Sequence, residues 1–280
     1  MIRATPLILR PSVSVVLPTR DRAGSLERSI RSVLEQSFAD LELIVVDDDS
    51  SDTTDRVISS ITDSRVQYVR LEQRAGAANA RNAGLARCTA ELVSFQDSDD
   101  EWLPERLALH VAHLRAAPAG VAGVYSDGVL IRSDGTRRLL RAPSMVRGRL
   151  LDPATRYYQS FMLGTPAATI VRRTAEAIGG FDERMPAFED LDLFLRLAAN
   201  WDLAHIERPL TVYHGQGGGI SSNFELELAA RRRLLLKHRR ALLRESPWFI
   251  VTEALAIIAR RGLSPIVDRH LTPLDRSSQI

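Results

Sequence analysis

A single cysteine, Cys88, in a chain of 280 residues excludes a disulfide framework and any cysteine-built metal site. Its neighbours Leu85, Ala86, Thr89 and Ala90 predict a small packed side chain near the end of a buried helix, the usual fate of a free cysteine. A lone thiol fits a reducing compartment, so the cytoplasm is the expected location. Long apolar runs are also missing. No stretch of about 18 apolar residues occurs, so no membrane-spanning helix is expected. Near the N-terminus, Arg10 and Pro11 end a short apolar stretch before the hydrophobic region of a secretory leader can form, and no signal peptide is expected. Charge of one sign is nearly absent in sum: the net charge is +2, too mild an excess to point to nucleic acid. No internal repeat is present. The remaining composition, 45% apolar and 26% charged, is that of an ordinary globular protein. The length suits one large α/β domain with an appendage, or two modest domains.

The first hundred residues alternate between two kinds of segment. Val13 to Leu17, Leu41 to Val46, Val66 to Leu71 and Leu92 to Phe95 are short apolar runs, the signal of buried strands. Between them lie helical patterns. Ser25 is placed to cap a helix that carries Leu26, Ile30, Val33 and Leu34 on one face, and Asp52 to Ile61 and Ala75 to Ala86 read as two more. This order predicts a parallel sheet with helices on both faces. Ligands of such sheets bind at the carboxyl ends of the strands. Three of these ends carry polar clusters: Thr19-Arg20-Asp21-Arg22, Asp47-Asp48-Asp49 and Asp97-Ser98-Asp99-Asp100. After residue 100 the pattern is mixed. It predicts a helix from Pro104 to about Ala117, a strand from Val121 to Tyr125, and a hairpin joining Val129–Arg132 to Arg137–Leu140. Further strands are predicted at Ala168 to Val171 and Val212 to His214, a helix from Phe188 to Ala199, and a flexible loop at Gly215 to Gly219.

Phe95-Gln96-Asp97-Ser98-Asp99-Asp100 carries the strongest chemical signal. Carboxylates crowded at the end of an apolar strand repel one another and are costly to desolvate. A divalent cation resolves this: Mg²⁺ or Mn²⁺ prefers oxygen ligands and typically binds one or two carboxylates plus substrate phosphates. It would then neutralise charge developing on a diphosphate leaving group. The competing reading is a solvated acidic turn. In Asp47-Asp48-Asp49 one carboxylate can accept hydrogen bonds from a nucleobase N–H or a ribose hydroxyl. A second acidic metal cluster, or the phospho-acceptor of a receiver domain, are the other readings. The receiver fails because no suitable βα repeats follow residue 120. Arg74, Arg81 and Asn82 surround the third helix, and arginine suits bidentate contact with phosphate, although an ordinary solvated arginine reads the same. Glu189-Asp190 opens a helix. Carboxylates are favoured there by the helix dipole alone, or one of them is a general base for an acceptor hydroxyl. His214 reads equally as a metal or phosphate contact and as a structural histidine.

In this order, "VSVVLPT" from Val13, "IRSVLEQSF" from Ile30, "IVVDDDSSDT" from Ile44, "GAANARNAG" from Gly76, "FQDSDDEWL" from Phe95, "GGFDE" from Gly179 and "EDLDLFLR" from Glu189 resemble family 2 glycosyltransferases of the GT-A fold. The resemblance spans roughly residues 11 to 222 and assigns residues 223–280 to a C-terminal helical appendage. It implies a Rossmann-like α/β domain with a mixed, mainly parallel central sheet. It also implies an inverting transfer of one sugar from a nucleotide-diphosphate sugar, a UDP-sugar in the favoured case, to an acceptor hydroxyl. Pro18, Thr19 and Asp48 would hold the nucleotide, with Asp48 facing the base; Asp21, Arg81, Asp97 and Ser98 complete the donor-binding set. Asp97 and Asp99 resemble the ends of the family's D-x-D motif and would ligate Mn²⁺ or Mg²⁺. Asp190 resembles the family's catalytic base. The chain departs from the family pattern in two places: Asp49 stands where a glycine is usual, and His214 where an arginine often follows the tyrosine. The Q-x-x-R-W motif of processive members is absent, which implies one addition at a time.

The C-terminal segment is basic. Ser222 to Glu245 holds seven Lys/Arg against three Glu, and the apolar run Trp248-Phe249-Ile250-Val251 follows. A basic helix beside an apolar one has the composition of a segment lying on an anionic membrane surface, here the inner face of the membrane that carries a lipid-linked acceptor. The other reading is that the apolar segment packs on the catalytic domain and the arginines are a solvated face. Two further function classes stand beside the transferase: a non-catalytic sugar-nucleotide or glycan-binding module, and a nucleotidyltransferase. The last is disfavoured, since no glycine precedes Gly24 after the first strand.

Overall fold

The computed structural model describes residues 11–142, 144–151, 164–215 and 224–262. Strands β1 (Val13–Thr19), β2 (Leu41–Asp47), β3 (Val66–Arg70) and β4 (Leu92–Phe95) form the parallel part of one sheet. β1 and β2 are buried almost throughout, which explains their unbroken apolar runs: helices cover both faces. β3 lies at the edge and carries the polar residues Gln67 and Arg70, as an unpaired edge should. Helices α1 (Ala23–Leu34), α2 (Thr54–Ser59) and α3 (Ala77–Leu85) connect these strands. α1 buries Leu26, Ile30 and Val33, as its spacing predicts. Its cap differs from expectation. The helix starts before Ser25, with Arg22 at the cap and no capping side chain, and both the amide and the hydroxyl of Ser25 bond the Arg22 carbonyl.

The second half is less regular. β5 (Glu101–Trp102), α4 (Arg106–Ala116), β6 (Val121–Arg132), β7 (Arg137–Leu140), β8 (Ala168–Val171), α5 (Arg172–Ala177), α6 (Glu189–Ala198) and β9 (Asp202–Gly215) follow in chain order. The sheet runs β3-β2-β1-β4-β8-β6-β9-β5, with β7 paired to β6. β8 is antiparallel to both neighbours, while β6 and β9 are parallel, so the sheet is mixed with a parallel core. The expected hairpin is present, its turn closed by Asp134 accepting from the amide and hydroxyl of Thr136. Two expectations fell short in length. β6 is one strand through Val121–Arg132 rather than two, and β9 begins at Asp202, well before Val212.

Two helices close the described chain, α7 (Phe224–Glu245) and α8 (Pro247–Gly262). Ala230, Leu234 and Leu242 of α7 pack with Leu191 and Leu195 of α6, and Glu245 accepts the amides of Leu150 and Leu151 at 2.7 and 3.0 Å. The inner face of α7 is therefore covered by α6 and its neighbours, while α8 packs chiefly on α7, with Phe249 reaching the shared cluster and Glu253 accepting from Arg231 at 2.9 Å. The outer face of α8 is uncovered: Trp248 is 76% exposed, Leu255 59% and Ile258 64%. Among the described residues no helix is long and apolar enough to cross a membrane. Most of the glycine-rich loop after Gly215 lies outside the described residues.

Candidate active site

β2, β1 and β4 are neighbours, so their carboxyl ends bring the three polar clusters to one edge of the sheet. The backbone there is bent into unusual shapes. Among the described residues, the non-glycine residues with left-handed backbones are Asp21 (φ 48°), Asp49 (φ 59°) and Phe188 (φ 60°). All three lie on loops at this edge or at the start of α6. Left-handed backbone disfavours a Cβ, and such strain gathers at functional sites. Asp49 occupies the family's glycine position in this conformation, which asparagine and aspartate tolerate better than other side chains. Its added charge lies 3.4 Å from Arg70.

The turn after β4 holds the acidic cluster. α1 fixes it: Ser29 donates to the Asp97 carbonyl at 2.7 Å, and Arg28 donates to the Asp99 carbonyl at 2.7 Å. Ser98 and Asp100 are buried, whereas the side chains of Asp97 and Asp99 stay 32% and 27% exposed. Burial pushes the carboxyl of Asp99 up, and neighbouring Asp97 adds to it; Asp100 is raised strongly by burial and by both neighbours. Arg22 lies 3.5 Å from Asp99. His214 belongs to this cluster as well, its amide donating to Asp100 at 3.0 Å and its ring nitrogen 2.6 Å from Glu101.

Arg81 joins this turn to α6. The guanidinium is buried, with Nη2 donating to Asp97 at 2.7 Å and Nη1 to Glu189 at 2.6 Å, and its face lies 5.6 Å from the Phe181 ring centroid. Burial works against its charge, but Asp97 and Glu189 outweigh this and hold its pKa above the ordinary value. The sequence leaves Arg81 as a phosphate contact or a solvated arginine, with the resemblance favouring the former; in the structure its two terminal nitrogens are bound to carboxylates. The packing under it accounts for two motif glycines. A Cβ on Gly84 would come within 2.4 Å of Val16 on β1, and one on Gly180 (φ 66°) within 2.6 Å of Asn82, whose amide holds the Phe181 backbone.

Asp190 lies beside Glu189 at the start of α6. It is partly open to the cleft yet enclosed by protein. Burial raises its carboxyl to about 7, the Glu189 charge adds to this, and Arg81 opposes it. A helix N-terminus would ordinarily lower it, so desolvation wins here. The nucleotide-side candidates line the other flank. Thr19 is buried, and its hydroxyl has no partner among the described residues. Pro18 is the penultimate residue of β1. Asp48 accepts the amides of Ala75 and Gly76 at 2.6 and 2.9 Å, tying β2 to the loop before α3. Asp21 accepts from the Ser51 amide at 2.7 Å, a bond that lowers its pKa against a small opposing effect of burial. It fastens the loop after β2 and stands at the rim.

The family model for glycosyl transferase family 2 matches residues 14–177. The chain belongs to that family. Among its relatives, the succinoglycan biosynthesis protein ExoO of Rhizobium meliloti is 29% identical over 224 residues, covering 78% of this chain and 64% of that protein. The UDP-Glc:alpha-D-GlcNAc-diphosphoundecaprenol beta-1,3-glucosyltransferase WfgD of Escherichia coli is 38% identical over 100 residues, 36% of this chain and 40% of that one. The chain thus spans less than two thirds of either relative. In structure it resembles the mannosyltransferase PcManGT of Pyrobaculum calidifontis, solved with GDP-Man and Mn²⁺, at a TM-score of 0.60 and 21% identity over 91% of this chain and 76% of that one. The GT-A fold of family 2 glycosyltransferases is therefore the architecture described above.

The carboxylates at the end of β4 can be tested for fit to a divalent cation. Among the described residues no group of three or more His, Cys, Asp or Glu gathers to cage an ion. Asp97 and Asp99, both partly open to the cleft, suit an ion that takes its remaining oxygens from a diphosphate, the usual manner of Mg²⁺. A cation there would also relieve the burial and the Asp97 charge that push the Asp99 carboxyl up. Two features escaped the sequence reading: the Arg81–Glu189 pair, 108 positions apart, and Asp192, buried on α6 against α7. The acidic pair before a helix hinted at the first, since one of two adjacent carboxylates usually needs a cation.

Proposed function

We propose that this family 2 glycosyltransferase moves one sugar from a UDP-sugar to a hydroxyl of a lipid-diphosphate-linked glycan during assembly of a surface polysaccharide, with inversion at the anomeric carbon. The ExoO and WfgD relatives support the polysaccharide setting, and the latter's name supports the UDP-sugar and the lipid-diphosphate acceptor. The observation that carries the reading is the joining of two carboxylate groups by one buried arginine. Arg81 holds the Asp97 turn and the Glu189-Asp190 turn in one frame, so a donor at the first lies beside a base at the second.

In this reading Thr19 and Pro18 border the nucleoside, and Asp48 faces the base while anchoring the loop before α3. Asp97 and Asp99 would hold Mn²⁺ or Mg²⁺, with Ser98 buried between them, and the ion would neutralise the departing nucleoside diphosphate. Asp190 removes the acceptor proton as the acceptor oxygen bonds to the anomeric carbon and the bond to the diphosphate breaks. A carboxylate raised toward neutrality is a stronger base than an ordinary one. The proton ends on Asp190, the electron pair on the diphosphate, and the single displacement inverts the centre. Calorimetric titration with UDP, GDP and dTDP, with and without Mn²⁺, tests the donor site. Metal-dependent binding of UDP that disappears in Asp99→Ala is expected. Binding indifferent to both metal and Asp99 would sink the proposal.

A further inference from the structure

The loop between α5 and α6 turns one side to the cleft and the other to α7. On the cleft side, Phe181 packs edge-on against Phe95 at 5.0 Å and lies under Arg81. On the far side, the loop and α7 enclose a groove of about 580 Å³, lined by Arg184, Arg232, Arg233, Lys237 and Arg239, with Asp182 at its floor. Such a grouping of five cations with one lining carboxylate is unbalanced. Asp182 accepts from Arg184, Arg233 and Lys237, and these partners hold its pKa well down although burial opposes them. Lys237 also bonds Asp192. Arg232 and Arg239 have no acidic partner among the described residues, and the Nε of Arg233 is a buried donor without an acceptor. Several guanidinium groups around one hollow match the geometry of phosphate oxygens, and an unpaired buried N–H favours an acceptor.

We propose that this groove is the acceptor's anchoring subsite and takes the diphosphate that joins the acceptor glycan to its lipid. The inference rests on the acceptor class proposed above and adds to it the residues that would hold that group. Three features support it. The groove borders α6, the helix that opens with Glu189 and Asp190, because its Lys237 also bonds Asp192. The groove is partly apolar through Leu236, which is 52% exposed. On the adjoining helix, Trp248, Val251, Leu255 and Ile258 expose an apolar stripe at helical spacing, suited to a lipid surface.

Vesicle flotation with the full chain tests the assignment. One set of neutral phosphatidylcholine vesicles carries a few per cent polyprenyl diphosphate, a second carries phosphatidylglycerol at matched charge, and inorganic pyrophosphate serves as the free-phosphate competitor. Preferential recovery on polyprenyl diphosphate vesicles is expected, about tenfold or more weaker in the double variant Arg232→Glu, Arg239→Glu, two exposed residues with no ion pair among the described residues. Equal recovery on both anionic vesicles would show a general attraction to charged membrane and overturn the proposal. So would preference unaffected by the double variant, or full competition by pyrophosphate at concentrations where the lipid phosphate gives no advantage. UDP binding, followed in parallel on the same samples, reports on the donor site alone: its absence would break the transferase reading, whereas the vesicle result decides the groove.

Discussion

α6 has two faces, and two aspartates on it show how differently they are built. Asp190 is partly exposed at the start of the helix, near the Arg81–Glu189 pair, and Asp192, two positions on, is fully buried against α7. Burial is the largest influence on both and raises both. For Asp190 the nearest charge is another carboxylate, Glu189, and the pKa stays high. For Asp192 the neighbours are His238, Arg196 and Lys237, at 3.0, 2.7 and 2.8 Å, and they outweigh burial and lower it. At Asp190 burial prevails, and at Asp192 the hydrogen-bonded partners do. Carboxylates whose surroundings drive their pKa values apart mark a division of roles.

Removing the cleft carboxylate gives the largest effect. Asp190→Asn is expected to lower kcat for transfer by about 10³-fold, within the usual range for a lost general base, while UDP binding survives. Wild-type-like transfer would move the base elsewhere on α6. The pH profile sharpens the same point. Asp190 must be ionised to accept a proton and its pKa is raised to about 7, so kcat/KM should be flat above that pH and fall as pH drops through it. In Asp190→Asn this limb should vanish. Since the fold disfavours the ionised form, the native state binds the extra proton between the unfolded pKa and about 7 and is destabilised above that window. The same substitution should therefore raise the melting midpoint at pH 8.

On the other face the signs reverse. Asp192→Ala leaves Arg196, Lys237 and His238 facing a buried gap and is expected to cost about 3 kcal/mol, read by urea unfolding at pH 7. The ion pairs of Asp192 give stability that is present above the ordinary aspartate pKa and lost as pH falls below it, so the difference between wild type and Asp192→Ala should shrink in acid. An equal penalty at pH 3 and pH 7 would mean that packing, rather than charge, holds α7 to α6.

The same contrast separates what sequence reading reached from what it missed. The parallel strands and the clusters at their ends were legible because each is local: an apolar run, then polar residues at a strand's carboxyl end. The acidic pair Glu189-Asp190 at the start of a helix was legible too, as adjacent residues before an apolar helical pattern. The network around Asp192 was not, because Lys237 and His238 lie 45 and 46 positions away and nothing near Asp192 announces them. β9 was read short for a local reason: Glu207, Arg208 and Pro209 interrupt its apolar pattern, and the structure absorbs them with register shifts against Ser126, Asp127 and Gly128. β5 is two residues long and pairs only through β9, so no periodicity could reveal it. Arg81 was placed at the site, but its partners were not, since a sequence does not show which anion a buried guanidinium meets.

The smallest effect tests whether the donor edge is strained at all. Asp49 takes a left-handed backbone where the family usually has glycine. Asp49→Gly removes the Cβ clash, worth up to about 1 kcal/mol for a residue as tolerant as aspartate. It also frees the unfolded chain, which offsets about 0.4–1 kcal/mol. The lost contact with Arg70 is long and exposed, and contributes almost nothing. The net change should thus lie near zero, while Asp49→Ala, which keeps the Cβ but lacks the aspartate's local hydrogen-bonding capacity, should lose about 1 kcal/mol. Equal stability of the alanine and glycine variants would mean that the backbone there relaxes freely. The left-handed turns at Asp21 and Phe188 would then also be better explained by their contacts than by stored strain. A clear gap between the variants would show that the loop after β2 is held in a shape the chain resists, as expected of a segment whose neighbour Asp48 is pinned by the amides of Ala75 and Gly76.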